Sequence, residues 1–403
     1  MSFDSLSPFV SISDSERLAL LSSELELARR SKFYSSRLPQ RLDSFDELAG
    51  LPRMSAEDIT EHGSSMVCVP GSDVARIVTL QTSGTLSKPK RIYFSRGDLE
   101  RTVAFFDEGM RWMCSKGDRV GIFMPCSSPD GLGDLLFRGL ERLGAEPLRY
   151  GMVARAGDLE PRFLSDRPRV VVGLPWQLRL LALAAPAARV GVVLLSADYV
   201  PDSCRAFFRE AWGAEVLCHY GMTETGLGGA VESLRHDGMY IRRDELFFEV
   251  TDPATGLPLP DGEEGEIVIT TLRREAMPLI RYRTGDLGKM CPDGSGRLDR
   301  VLSRLGSPLP FPDGGRLCTL LEEELFPERR LLDYHLAWSR SEHRLHIRAF
   351  WSGGECNAAK TISGAVSRVF GDEAAGRCVI DVVPADAHTA QCAYIAKRVP
   401  AII

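Results

Sequence analysis

The sequence predicts an α/β protein: a large N-terminal domain of doubly wound mixed sheets with an antiparallel β subdomain, and a small α+β C-terminal domain. Three observations predict it. Between about residues 119 and 220, short apolar runs alternate with amphipathic stretches, the pattern of parallel strands covered by helices on both faces. After about Arg243 the runs "ELFFEV", "EGEIVITTL" and "LIRYRT" alternate apolar with polar residues, as antiparallel strands do. A Pro- and Gly-rich stretch, "RLGSPLPFPDGG" (304–315), then sets apart roughly a hundred residues, an ordinary domain size. The expected partition is 1–304 and 305–403.

A first helix is expected from Ser13 or Asp14, with Leu18, Leu21, Leu25 and Ala28 on one stripe. "ARIVTL" (75–80) and "RIYF" (91–94) read as strands flanking a loop of hydroxyls, glycine and lysines. "RVGIFMP" (119–125) precedes a helix near 130–143. "RVVVGLP" (169–175) precedes one running through Ala184, and "RVGVVLLS" (189–196) one over 202–212. The strand "AEVLCHY" (214–220) follows directly. Past the Pro/Gly stretch come a helix ("CTLLEEELF"), a hairpin ("LDYHLAWSR", "HRLHIRAFW"), a helix near 358–370 and a strand ("RCVIDVVPA").

Composition excludes several classes. The chain has 403 residues, 44% hydrophobic and 26% charged, with a formal net charge of -6. That balance argues against a nucleic-acid surface. No window is apolar for long enough to span a membrane, and "MSFDSLSPFV" lacks the basic start and apolar core of a signal peptide. Ten cysteines without CxxC spacing point to reduced thiols and a cytoplasmic setting.

Three segments carry chemistry. "TSGTLSKPK" (82–90) offers donors suited to an oxyanion but lacks the Gly-Lys-Ser/Thr triplet of a Walker A loop. The same composition also occurs in ordinary hairpin loops. "HYGMTET" (219–225) ends an apolar run, where open α/β sheets place ligands. There Tyr220 can stack on a base, Thr223 can donate to a phosphate and Glu224 can bind Mg²⁺. A helix cap is the plainer alternative. In "RYRTGDLG" (281–288), Asp286 can accept from both hydroxyls of a ribose, or simply sit solvated on a turn.

In this order and at these separations, the three motifs resemble the adenylate-forming superfamily of acyl-CoA synthetases, peptide-synthetase adenylation domains and luciferases. "SKFYSSRL" and "EGEIVITTLRREAMPLIRYRTGD" resemble its phenylacetate-CoA ligase branch. The resemblance implies that Thr82, Ser83, Gly84, Thr85, Lys88 and Lys90 lie in a mobile loop closing over the β- and γ-phosphates of ATP. It implies that Ser196, Ala197 and Asp198 line the adenine and that Tyr220, followed by Gly221 and Met222, stacks on it. Thr223 would contact the α-phosphate, Glu224 would ligate Mg²⁺ and Asp286 would take the ribose hydroxyls. The resemblance also implies an Arg that closes the ribose site, for which Arg304, at the more usual spacing, is preferred to Arg297 of "GR". Leu305 stands where the hinge Asp or Lys is usual.

The catalytic lysine implied is Lys397 in "YIAKRVPA", on a small mobile C-terminal domain, with Ala396 in place of the usual Gly; Lys360, in an expected helix, competes for the role. Some members hold zinc through Cys and His; here only Cys291 remains in "MCPDGSG", and no zinc site is expected.

The implied reaction is ATP-dependent activation of a carboxylic acid, aryl or arylalkyl, followed by transfer to coenzyme A. The glycines Gly226, Gly228 and Gly229 are expected to leave room for a flat ring. Two other readings remain: an adenylating enzyme serving a carrier protein or another nucleophile without CoA, and a nucleotide-binding protein that has lost turnover. The expected partners are small molecules, with a homodimer as the candidate assembly and neither nucleic acid nor membrane.

Overall fold

The structure, a computed structural model, describes residues 12–80, 89–306, 309, 314–353, 357–391 and 401–402. The chain divides into two compact units, Met1–Trp112 with His219–Val301 and Met113–Cys218 with Leu302–Ile403. This division cuts across the expected 304/305 boundary, because the C-terminal residues share a unit with Met113–Cys218.

The first unit begins with the helix Asp14–Ala28, started by a capping box between Ser13 and Glu16 and burying Leu21, Leu25 and Ala28. Val74–Leu80 and Lys90–Ser95 are the two expected strands, and they pair antiparallel. Ser95 then caps the helix Arg96–Met110 through a second box with Asp98. Leu246–Thr251, Gly265–Thr271 and Tyr282–Met290 lie in order in an antiparallel sheet, as their alternation predicts. The same sheet takes in Met239–Ile241, Ala230–Glu232 and the last two residues of Glu215–Tyr220.

The second unit holds the parallel strands, ordered Glu146–Arg149, Arg119–Phe123, Val170–Gly173, Val192–Leu195 and the first residues of Glu215–Tyr220. The helices Leu132–Leu143, Ala156–Asp166, Pro175–Ala184 and Ser203–Trp212 alternate with these strands. The sequence pattern passes over Ala156–Asp166. Gly157 and Pro161 argue against a helix, and only Ala156 and Phe163 of its face are buried. The C-terminal part adds a sheet of Cys378–Ala385, Arg344–Ser352, Leu331–Ser339 and Ala401–Ile402, with the helices Gly314–Leu325 and Ala358–Phe370.

One apolar core runs through this unit. Trp176 meets Phe326 and Tyr334 edge-on at 5.3 and 5.2 Å, and its indole donates to Glu322 at 2.9 Å. Arg179 is fully buried and donates to the carbonyls of Phe326 (2.8 Å), Leu331 (2.6 Å) and Glu328. Its guanidinium lies over the rings of Trp176, Phe207 and Phe326. Among the described residues no helix is long and apolar enough to cross a membrane.

Burial in the first unit has a pH consequence. Glu24 is buried and accepts from the Thr271 hydroxyl and, at 3.1 Å, from the Arg274 amide. Desolvation outweighs these bonds and pushes its carboxyl up to about 8. A carboxyl raised on folding favours the folded state while it stays protonated, and that contribution is lost as pH rises from its ordinary value toward 8. Glu24→Gln is therefore expected to flatten the decline of Tm between about pH 5 and 8. Parallel Tm–pH curves for variant and parent would refute this.

Candidate active site

The expected nucleotide residues on the first unit converge. After Tyr220 the chain makes a tight turn rather than entering a helix. Thr225 N bonds to Met222 O (3.1 Å), Gly226 N to Thr223 O (3.0 Å) and Leu227 N to Met222 O (2.9 Å). Gly226 and Leu227 both have positive φ, 73° and 68°, which reverses the chain into the strand Ala230–Glu232. The helix-cap alternative is thereby set aside. Thr223 is half-buried in the turn, and Glu224 is only 1% exposed.

The carboxylate of Glu224 is paired. Lys90 Nζ and Tyr282 Oη (3.1 Å) both donate to its Oε1, and Lys90 Nζ also lies 3.2 Å from Tyr282 Oη. Its peptide carbonyl accepts from Arg274 Nη2 at 3.2 Å. Thus the end of the expected phosphate loop and the expected metal ligand form one buried ion pair. Sequence reasoning missed Tyr282 and Arg274. Both lie inside "RREAMPLIRYRTGD", but nothing in their residue types says where they point.

Asp286 is buried on a strand, not solvated on a turn. Tyr282, Thr284 and Asp286 alternate on the buried face of Tyr282–Met290. This spacing sends Tyr282 to Glu224 and Asp286 to Tyr220, whose hydroxyl donates to Asp286 Oδ2 at 2.9 Å. Gly221 and Met222 lead from Tyr220 into the turn, and Met222 N bonds to Thr225 Oγ1 at 3.0 Å.

The remaining candidates fall elsewhere. Ser196, Ala197 and Asp198 follow the strand Val192–Leu195 in the second unit. There Ser196 N bonds to Gly173 O (3.1 Å), and Ala197 takes a left-handed φ of 68°, unusual for a residue with a Cβ. Asp198 accepts from the Tyr199 amide at 2.9 Å. Arg304 is exposed at the end of Leu298–Arg304, in the second unit. Arg297 is committed locally to Asp237, to Asp293 (2.7 Å) and to Tyr240 Oη (3.2 Å). Lys360 is exposed on the helix Ala358–Phe370. Thr82, Ser83, Gly84, Thr85, Lys88 and Lys397 lie outside the described residues.

Two further expectations meet the structure here. The glycines after Glu224 do not open free space. A Cβ on Gly228 would lie 2.2 Å from the Phe105 ring, one on Gly226 2.9 Å from Arg274 Nη2, and one on Gly229 3.1 Å from Tyr220 O. They are small because the protein's own atoms already fill the space beside them. Cys291 donates its thiol to the Asp237 carbonyl at 3.7 Å, and the described residues include no group of three or more His, Cys, Asp or Glu placed to hold a metal.

Known proteins match this chain in sequence and in fold. The family model of the AMP-binding enzymes matches residues 41–272. The phenylacetate-coenzyme A ligase of Escherichia coli (strain K12) is 30% identical over 325 residues, covering 75% of this chain and 72% of that protein. Its counterpart in Pseudomonas putida is 27% identical over 316 residues, covering 74% and 70%. Among solved structures, 2-hydroxyisobutyryl-CoA ligase in the postadenylation state with 2-HIB-AMP matches with a TM-score of 0.78. It is 21% identical, and the match covers 100% of this chain and 93% of that one, a likeness of fold. With a family match over more than half its length and the Escherichia coli relative beside it, the chain belongs to the AMP-binding enzyme family, in the branch resembling phenylacetate-CoA ligase.

Proposed function

We propose that the protein activates a carboxylic acid with ATP to an acyl-adenylate and then transfers the acyl group to coenzyme A. The observation carrying this reading is Glu224, a carboxylate buried past a strand's carboxyl end and gripped by Lys90 and Tyr282. A substrate carboxylate oxygen attacks the α-phosphorus of ATP, the bond to the bridging oxygen breaks, and pyrophosphate leaves. The acid is already ionised at neutral pH, so no general base is required.

The residues' proposed work is electrostatic. Thr223 contacts the α-phosphate, and Lys397 stabilises the charge that develops there. Thr82, Ser83, Gly84, Thr85, Lys88 and Lys90 hold the departing pyrophosphate. Ser196, Ala197, Asp198 and Tyr220 receive the adenine, while Asp286 and Arg304 hold the ribose. Glu224 suits Mg²⁺, a hard cation that takes carboxylate and phosphate oxygens together and, when bound, neutralises phosphate charge. In the second half-reaction the thiol of CoA attacks the acyl carbonyl and AMP leaves, with the region 305–403 turning to exchange Lys397 for the thiol.

The acid is proposed to be aryl or arylalkyl. Support comes from the phenylacetate ligases among the relatives. Pyrophosphate exchange across a panel of carboxylic acids, followed by assay of CoA-dependent AMP release, tests both halves. No exchange with any acid would remove the reading.

A second reading has one observation in its favour. The core joining Trp176, Arg179 and Phe207 to Phe326 and Tyr334 would have to be exposed if 305–403 turned away alone. Passing the acyl group to another nucleophile without that rotation avoids the cost. Exchange that proceeds normally while no acyl-CoA forms would select it.

The ribose assignment has its own test. Asp286→Ala removes a carboxylate proposed to make two charge-assisted bonds, each worth about 1.5–3 kcal/mol. ATP affinity by calorimetry is expected to fall by at least about a hundredfold, with the fold retained and the melting temperature lowered modestly because the Tyr220 hydroxyl loses its acceptor. Unaltered affinity would refute the assignment.

A further inference from the structure

We propose that Arg274 is a positioning residue for adenylation: its buried guanidinium fixes the peptide of Glu224 so that the carboxylate meets Mg·ATP in one orientation. This rests on the function proposed above and extends it to a residue that does not touch the nucleotide.

Glu224 is held at both ends. Lys90 and Tyr282 hold its carboxylate, and Arg274 Nη2 holds its carbonyl at 3.2 Å. The guanidinium presses against the turn so closely that a Cβ on Gly226 would lie 2.9 Å from Nη2. Glycine at 226 therefore serves two needs, its φ of 73° and the approach of Arg274. Thr102 Oγ1 supports the same turn from the helix Arg96–Met110, donating to Gly226 O at 2.8 Å.

Arg274 is anchored from behind. Its amide donates to Glu24 at 3.1 Å, and the amides of Glu275 (2.9 Å) and Ala276 (3.0 Å) donate to the Asp98 carboxylate. Its Nε lies 3.9 Å from Asp98 Oδ1, and its guanidinium stacks over the Phe94 ring at 5.1 Å. Helices Asp14–Ala28 and Arg96–Met110 thus both fix the segment that presents the guanidinium. Its rigidity is passed on to the Glu224 peptide.

A purely structural role explains this arginine poorly. Arg274 is 7% exposed, and its Nη1 is buried without a hydrogen-bond partner among the described residues. An unsatisfied buried donor is costly, and an apolar side chain of similar length would fill the space without it. What such a side chain cannot do is donate to the Glu224 carbonyl and face the buried Asp98 carboxylate at the same time, so the guanidinium couples the two.

The test uses the full chain with Arg274→Met, Arg274→Lys and Thr102→Val. Arg274→Met is expected to lower kcat for pyrophosphate exchange by about ten- to a hundredfold, the scale for displacing a catalytic group by about an ångström. KM for the acid should stay within about twofold, as expected when an interaction specific to the transition state is lost. Calorimetry should show a weaker Mg²⁺-dependent gain in ATP affinity, while ATP binding in EDTA is unchanged. Arg274→Lys should recover part of the loss. Thr102→Val, which loosens the same turn without touching the buried charge, should shift both readouts in the same direction by a smaller factor, and it decides the matter if Arg274→Met does not fold. Folded variants with parental kcat and parental Mg²⁺ dependence would overturn the proposal. If the parent shows no exchange with any acid, the functional reading has failed, and the calorimetric comparison still decides the role of Arg274.

Discussion

Replacing Lys397 with alanine is expected to slow acyl-adenylate formation by about 10²–10³, the scale for losing one preorganised charge donor, and to leave capture of a pre-made adenylate by CoA nearly unchanged. The proposed role confines this lysine to the first half-reaction. In the proposed cycle Lys397 stands at the α-phosphate only while pyrophosphate departs, because the region 305–403 turns before the thiol attacks, so its charge lowers that barrier and no other. Timing the two half-reactions separately makes the test. Equal slowing of both would make Lys397 a support for the fold, and no slowing of either would make it a solvated surface lysine. Lys90→Ala should also weaken adenylation. Lys90 differs in being paired with Glu224, so its loss leaves a buried carboxylate with Tyr282 as its described partner and changes the Mg²⁺ dependence as well.

Arg179→Met is expected to destabilise the second unit by about 3–5 kcal/mol, the cost of leaving several buried polar partners of a charge unpaired. The methionine would fill most of the volume, so the loss would come from the carbonyls of Phe326, Glu328 and Leu331. Because Arg179 lies on the helix Pro175–Ala184 and those carbonyls follow the helix Gly314–Leu325, amide protection should fall together in both stretches. Hydrogen exchange reads this directly. Protection lost only after residue 302 would mean that the C-terminal part opens by itself, as a rotating domain requires.

Much of the fold could be read from residue patterns. Strands such as Val170–Gly173 and Val192–Leu195 are apolar throughout because both faces of a parallel sheet are covered, and the helix start at Ser13 is written in four residues, whereas the sequence pattern passes over the helix Arg96–Met110. Ala156–Asp166 was not legible, since packing of Ala156 and Phe163 overrides the poor propensity of Gly157 and Pro161. In the site, Tyr220, Thr223, Glu224 and Asp286 are singled out by the short motifs "HYGMTET" and "RYRTGDLG", the first at a strand's end and the second along the strand Tyr282–Met290. The spare room read into Gly226, Gly228 and Gly229 was wrong for a physical reason. A missing Cβ shows that something lies close, and whether that is ligand or protein depends on neighbours distant in sequence.

By itself the sequence determined the class of protein, the succession of many of its strands and helices, and the residue types offered to a nucleotide, because these depend on local periodicity and on motifs a few residues long. Only the tertiary structure decided which charges face one another. Lys90 and Glu224 are 134 positions apart, and Tyr220 and Asp286 are 66. It also decided that Arg274 supports the Glu224 peptide and that Arg179 ties two distant stretches into one core. The reason is the range of the forces. Propensity and amphipathicity act within a turn or a strand, whereas ion pairs, buried hydrogen bonds and core contacts form between whichever residues the completed chain brings within a few ångströms.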